Sequence, residues 1–388
     1  MSATPTPERR LFTPFNVVAA IILGVGAVLL FLRFTRGLAA TTNLTNDTPW
    51  GLWIGFDVVS GVALAAGGFV ISSAVYLFGM KEYKPIVRPA LLTGFLGYTL
   101  VVLGLLADLG RPWRLPFPFI KQAGPTSALF EVALCVALYL TVLFIESTPA
   151  AFEWLGLKRW RKLVTSMTIA LTIFGLLLST LHQSSLGALF TITPTRLHPL
   201  WYSAFLPVHF FVSAVAAGLS MVVVEGTFSH RALGHLSDTS HERMDALTLG
   251  LAKAGAVTLA VYLAIRIVGL MLDDNWHWLG TGWGAWYLVE VLGFVFVPCL
   301  LYTVGYRERR LGLVRVAAFM TVIGIVLNRF NVSMIAFNWE LPAEARYFPS
   351  WMEIWVSVTL VTAGVVAFKW IASRMPILYE HPEYKGTH

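Results

Sequence analysis

Ten stretches of this chain stay apolar for about 20 residues each, the length a helix needs to cross the hydrocarbon of a bilayer. They fall at 13 to 35, 51 to 78, 87 to 107, 127 to 147, 163 to 182, 200 to 226, 247 to 272, 283 to 304, 313 to 337 and 351 to 373. Inside a bilayer a helix satisfies its own backbone polar groups, so the runs predict an all-α polytopic membrane protein with ten transmembrane helices. Composition agrees, because 57% hydrophobic and 13% charged residues leave too little charge to cover a soluble globule. No loop is long enough to fold separately. Residues 1–388 therefore read as a single integral membrane domain with tails at 1–12 and 374–388. Arg9 and Arg10 before the first run, and "GLAA" after it, raise a signal peptide. The run is too long for an ordinary h-region, and it is read as a retained helix.

Lys and Arg set the orientation. Placing the N-terminus in the cytoplasm puts there Arg9, Arg10, Lys81, Lys84, Arg88, the "KRWRK" run at 158–162, Arg307, Arg309, Arg310, Arg315 and Lys385, against few basic residues outside. Both termini are then cytoplasmic. The formal charge of +7 is a positive-inside signature and not a nucleic-acid footprint, which needs a solvated basic face. Most tryptophans, including Trp50, Trp53, Trp113, Trp201, Trp276 and Trp278, lie on the opposite, outer side. A plain aromatic belt would decorate both interfaces, so the bias suggests a partner or something flat met outside. A weak echo between "PWGLWIGFDVVSGVALAAGGF" and "PLWYSAFLPVHFFVSAVAAGLS" suggests parallel repeats. Helices 2–5 and 6–9 would form two four-helix bundles flanked by helices 1 and 10.

An ionisable group near the centre of a membrane helix costs roughly 2.5 to 3.5 kcal/mol on insertion scales, so each should face water or a partner. Asp57, Glu131, Arg266, Glu290 and Arg329 all fall in the outer half of their runs. The plainer account of the last three is a lock, with Arg266 and Arg329 pairing with Glu290. The five together also make a possible proton path. Asp57 and Glu131 have no basic partner in their own helices. "LADLGRPWRLPFPF" adds Asp108, Arg111 and an extended run from Pro112, and "LHQSSLG" adds His182, Gln183, Ser184 and Ser185 at what reads as the end of the fifth helix. Acid, base and neutral donors would then share one depth. Such groups can hold the two carbonyls of a quinone and move the two protons its reduction takes up.

Two cysteines, Cys135 and Cys299, lie within apolar runs without C-x-x-C spacing, so the chain offers no iron-sulfur cluster and no metal site. A b-type haem needs two facing histidines at one depth. Only His182 and His209 come near this, so no haem is expected.

"PWGLWIGFDV", "VRPALLTGFLGYTL", "DLGRPW", "LFEVALC", "LHQSSLG", "HPLW" and "FPSWMEI", in this order across residues 48 to 375, resemble the NrfD/PsrC-like membrane subunits. Within them they resemble the HybB branch, the integral membrane subunit of hydrogenase-2-type periplasmic nickel-iron hydrogenases. The resemblance implies a subunit without redox centres of its own. It would dock a periplasmic ferredoxin-like iron-sulfur subunit, itself fed by the hydrogenase large and small subunits, and would bind menaquinone or ubiquinone from the membrane lipid. It would be quinone-reactive only within the complex. By resemblance Asp108, Arg111 and His182 enter the catalytic set, with Trp53, Asp57, Glu131, Gln183 and Ser184 beside the quinone. The same branch serves sulfur-compound oxidoreductases and alternative complex III. Rivals of other classes are a secondary transporter, which favours broken helices at the midplane, and a pure anchor, which needs no buried acids.

Overall fold

The structure is a computed structural model describing residues 12–48, 50–121 and 123–384. Arg9, Arg10 and Lys385 of the orientation argument lie outside the described residues. Among the described residues ten helices are long and apolar enough to cross a membrane: α1 (Pro14–Arg36), α2 (Trp53–Tyr76), α3 (Lys81–Asp108), α4 (Ala128–Trp154), α5 (Thr168–Thr191), α6 (Leu206–Leu236), α7 (His241–Leu272), α8 (Gly282–Arg307), α9 (Leu311–Ile335) and α10 (Trp351–Ala372). Among the described residues the one β feature is an isolated Leu197–Phe337 bridge. The ends joined by the α1–α2, α3–α4, α5–α6, α7–α8 and α9–α10 loops form the Trp-rich face, and the opposite ends form the basic face.

Helix α2 packs on α3 and α5, and α4 closes the ring against α3 and α5. A second ring runs through α6, α7, α8 and α9, and α6 touches both α5 and α2. The α2–α6 crossing is close because Ala66, Gly67 and Gly218 meet there: a Cβ on Gly218 would lie 2.6 Å from the Gly67 amide nitrogen. Small residues let membrane helices approach where apolar burial gives little drive. Helix α1 packs mainly on α10, which rests on α3.

Several helices outrun their apolar stretches. α4 continues past Pro149, whose ring nitrogen has no proton for the Ile145 carbonyl; Thr148 Oγ1 donates to that carbonyl instead, at 2.7 Å. The fifth apolar run divides into a short basic helix, Lys158–Ser166, and α5, which extends to Thr191. His182 is thus nine residues from the helix end, about 14 Å inside it at 1.5 Å per residue. After α3 the chain forms a 3-10 turn at Pro112–Arg114 and a short helix at Phe117–Ile120, in place of the expected extended run.

Three stretches are π-helical: Trp53–Ser60, Val289–Phe296 and Asn331–Ile335. Such turns collect at functional sites, and these hold or adjoin Asp57, Glu290 and Arg329. In α2 the irregularity continues to Ala65–Ala66, where the Ala66 amide turns to Ala63 O at 3.3 Å. The Val62 carbonyl accepts instead from Gln183 Nε2 of α5, at 3.0 Å.

Candidate functional site

The interior of the α2–α5 ring is built around an imidazole. His182 is fully buried; its Nδ1 donates to Leu178 O at 2.7 Å, so Nε2 is the acceptor for the Tyr98 hydroxyl at 2.5 Å. Tyr139 of α4 stands edge-on to Tyr98 with ring centroids 4.7 Å apart, and lies 5.7 Å from the His182 ring. Ser179 stands beside the hydroxyls of both Tyr98 and Tyr139, and Gln183 beside that of Tyr98. Ser184 is half-buried, whereas its neighbour Ser185 donates to Glu131 Oε1 at 2.7 Å. Glu131 itself is exposed.

A carboxylate layer lies nearer the Trp-rich face, where α1, α2, α3 and α10 meet. Asp57 is buried and its Oδ2 accepts from Ser357 Oγ at 2.5 Å. Gly104 makes room for it, since a Cβ there would come within 2.6 Å of the Asp57 Cβ. One turn on, Asp108 ends α3 with Oδ1 buried and unpartnered. Its cation is Arg33 of α1, only 2% exposed, whose Nε donates to Ala107 O at 2.6 Å and Nη2 to Leu109 O at 2.5 Å. Glu353 heads α10: Oε2 accepts from the Asn43 and Ser350 amides at 3.0 and 2.8 Å, and Oε1 from the Tyr347 hydroxyl. Trp53 Nε1 donates to Glu353 O at 3.2 Å. Burial, and then its bond to Glu353, holds the Tyr347 phenol well above its ordinary pKa.

Two expectations need correction. Arg111, expected in the catalytic set with Asp108, is exposed in the loop after Leu109; the cation near Asp108 is Arg33, which α1 brings to the end of α3 and which binds the Ala107 and Leu109 carbonyls. Nor do Asp108 and His182 share a depth. Asp108 lies ten residues beyond Tyr98, the partner of His182, which is about 15 Å along α3. Arg33 and Glu353 were missed. Arg33 sits at the end of an apolar run, where it reads as an interfacial anchor, and Glu353 reads as a cap. The signal for Glu353 was present in "SWMEI", since Ser350 and Glu353 form a capping box.

In the other ring Glu290 is filled by four donors: Arg266 Nη2 at 3.3 Å and Asn328 Nδ2 at 2.7 Å on Oε1, with Trp201 Nε1 at 2.7 Å and Asn331 Nδ2 at 2.5 Å on Oε2. Arg329 does not pair with Glu290 as expected. It reaches Asn328 Oδ1, Phe210 O and Ser213 Oγ, and its guanidinium lies 3.7 Å above the Phe210 ring centroid. This is a tie between helices. On the Trp-rich face His198 is buried among Trp201, Trp278, Trp283 and Trp339, and burial lowers its pKa to about 4.

These residues do not fit a haem held between His182 and His209. Both ring nitrogens of His182 are engaged, and α5 and α6 touch too closely at Gly187, where a Cβ would lie 2.5 Å from Leu206 O.

The family profile "Polysulphide reductase, NrfD" matches residues 40–339. A protein of Nitratidesulfovibrio vulgaris is 56% identical over 98% of both chains. The probable Ni/Fe-hydrogenase 2 b-type cytochrome subunit of Escherichia coli K12 is 31% identical over 97% of this chain and 96% of its own. The integral membrane subunit of menaquinone reductase from N. vulgaris is 28% identical over 94% and 91%. Match length and the ten-helix architecture agree: the chain is a multi-span membrane protein of the NrfD family, whose members serve as membrane subunits of redox complexes.

Proposed function

We propose that this chain is the quinone-reactive subunit of a hydrogen-oxidising respiratory complex in a bacterial inner membrane, with the Trp-rich face in the periplasm and both termini cytoplasmic. A ferredoxin-like iron-sulfur subunit, reduced by nickel-iron hydrogenase subunits, docks on that face and passes electrons to menaquinone or ubiquinone. The names of the hydrogenase-2 and menaquinone reductase relatives support this reading. So do the apolar side chains exposed in its loops, among them Trp113 at 69%, Ile120 at 75% and Phe348 at 76%.

The observation that carries the reading is Asp108, a half-buried carboxyl with one unpartnered oxygen, held beside Arg33 and one turn above Asp57. A reduced quinone oxygen takes up protons, and a carboxyl with an oxygen free of partners is a group that can deliver one. Asp108 and Arg33 face the quinone oxygen, with Trp53 and Asp57 lining the layer and Glu131 beside Ser185 at the neighbouring α4–α5 edge. His182 and Tyr98 act beneath it as a proton-exchanging pair. Gln183 supports α2, and Ser184 and Arg111 are second choices, the latter at the docking loop. The filled carboxylate of Glu290 makes the Arg266–Glu290–Arg329 group a scaffold, leaving Asp57 and Glu131 as the acids of any proton path.

In the assembled complex, Asp108→Asn should lower hydrogen-dependent quinone reduction about 100-fold, the lower end of what a positioned proton donor contributes. Reduction of a soluble viologen dye on the partner subunits reports assembly. A quinone rate within twofold of wild type in an assembled complex contradicts the assignment.

A further inference from the structure

A cavity of about 430 Å³ opens at the basic face among the ends of α2, α3, α4 and α5. Its far wall is the segment after α10. Arg88 Nη1 holds that segment by donating to Pro376 O at 2.7 Å, and the α6–α7 loop holds it where Glu380 N donates to Asp238 Oδ2 at 3.2 Å. The cavity carries charge of both signs. Lys81 and Lys84 at the start of α3 and Arg243 in the first turn of α7 line it, and none of the three makes an ion pair among the described residues. Glu146 of α4 and Glu380 line it too, likewise without an ion pair among the described residues; Glu146 Oε1 accepts from Thr172 Oγ1 of α5 at 3.1 Å. Arg88 is already engaged, with bonds to both Glu153 oxygens at 2.9 and 2.7 Å.

The opening continues into a second space of about 180 Å³, which shares Arg88, Leu91, Glu146, Pro149 and Ile377 with the first. Away from those residues its wall is mainly apolar: Leu92 and Phe95 of α3, Phe144 and Ala151 of α4, Ile371 of α10 and Met375 just after it. α4 and α10 both rest on α3, so this space is a crevice between them with α3 as its floor. Phe144, at its edge, is 55% exposed. A charged basin at the basic end of the helices that runs into an apolar crevice has the two-part shape of a phospholipid. Basic pockets between membrane helices take phosphate headgroups. Here acids stand among the cations, so a purely anionic headgroup would set Glu146 and Glu380 against its phosphate. An ammonium beside the phosphate gives charges of both signs a partner.

We propose that this opening holds one aminophospholipid of the phosphatidylethanolamine type. Its phosphate lies among Lys81, Lys84 and Arg243, its ammonium faces Glu146 and Glu380, and one acyl chain fills the crevice between α4 and α10. The lipid then joins α4, α10 and the segment after α10 into one wall at the basic face. A ligand that binds only the folded chain raises its melting temperature, which gives the site a readout of its own. The site is independent of the quinone chemistry proposed at the Trp-rich face, and neither stands or falls with the other.

Native mass spectrometry of the full-length chain tests this, after purification in detergent, removal of lipid and addition of phosphatidylethanolamine or phosphatidylglycerol with the same acyl chains. One phosphatidylethanolamine should stay on each chain, held about fivefold more tightly than phosphatidylglycerol, the weight of one charge near the surface. Lys81→Gln with Lys84→Gln should weaken it about 25-fold, about fivefold for each lysine. Glu146→Gln with Glu380→Gln should abolish the preference between the two lipids. Ala151→Phe, which fills the crevice and leaves every charge in place, should lower retention of both. Added phosphatidylethanolamine should raise the melting temperature of wild type and leave that of Ala151→Phe unchanged, which also reports that the variant is folded. Soluble glycerophosphoethanolamine, a headgroup without chains, should not compete. The proposal is overturned by equal retention of the two lipids in wild type, by retention unchanged in the lysine pair or in Ala151→Phe, by competition from the soluble headgroup, or by a wild-type chain that retains neither lipid.

Discussion

Glu290 shows how a single carboxylate is made safe inside a membrane. With four donors on two oxygens it needs no water, and it ties α8 to α7, to α9 and to the loop before α6. Glu290→Ala leaves Arg266 buried and unpaired, which should cost about 3–5 kcal/mol. Glu290→Gln keeps the acceptor on one side and should cost less. Thermal unfolding of the purified protein separates the two, and equal loss in both variants would mean that charge contributes nothing. His198 behaves in the opposite sense. Its pKa is about 4 in the folded cage against 6.5 ordinarily, so below 6.5 the unfolded loop binds a proton that the folded loop refuses. Its contribution to stability is full above about pH 6.5 and is lost as pH falls toward 4. Tryptophan emission of the cage should shift on acidification across that window in wild type and not in His198→Leu; the same shift in both would assign the transition to another group.

Among the helices, α5 explains why the sequence was legible in outline and misleading in detail. Ten apolar runs give ten helices because the bilayer length is a strong constraint. Polar residues were taken to end the fifth run, but His182, Gln183 and Ser185 are buried helix positions whose partners, Tyr98, the Val62 carbonyl and Glu131, come from three other helices. Hydropathy along one strand of sequence carries no information about such partners, and for the same reason Arg33 could not be matched to Asp108, 75 residues away. Close helix contact leaves its own test. Gly187→Leu would drive its side chain into the Leu206 backbone and should destabilise by about 1–3 kcal/mol or more, read as a lower melting temperature. A neutral result would mean that α5 and α6 separate readily.

At the scale of the molecule, Glu290 in the α6–α9 ring has both oxygens filled by donors, whereas Asp108 at the end of α3 keeps an unpartnered oxygen. On the proposed reading, that difference and the apolar loops of the Trp-rich face assign scaffold to the Glu290 group, quinone chemistry to the Asp108 layer and docking to the loops. Trp113→Glu with Phe348→Glu should weaken assembly with the iron-sulfur subunit at least tenfold without lowering the melting temperature of this chain; undiminished co-purification would move the docking surface elsewhere. The central claim is that quinone is reduced beside Asp108 and Arg33. Photolabelling of the intact complex with an azido-quinone, followed by peptide mapping, tests it most directly. The account predicts label on the end of α3 and the facing residues of α1, α2 and α10, displaced by unmodified quinone. Displaceable label confined to the α6–α9 ring would contradict it.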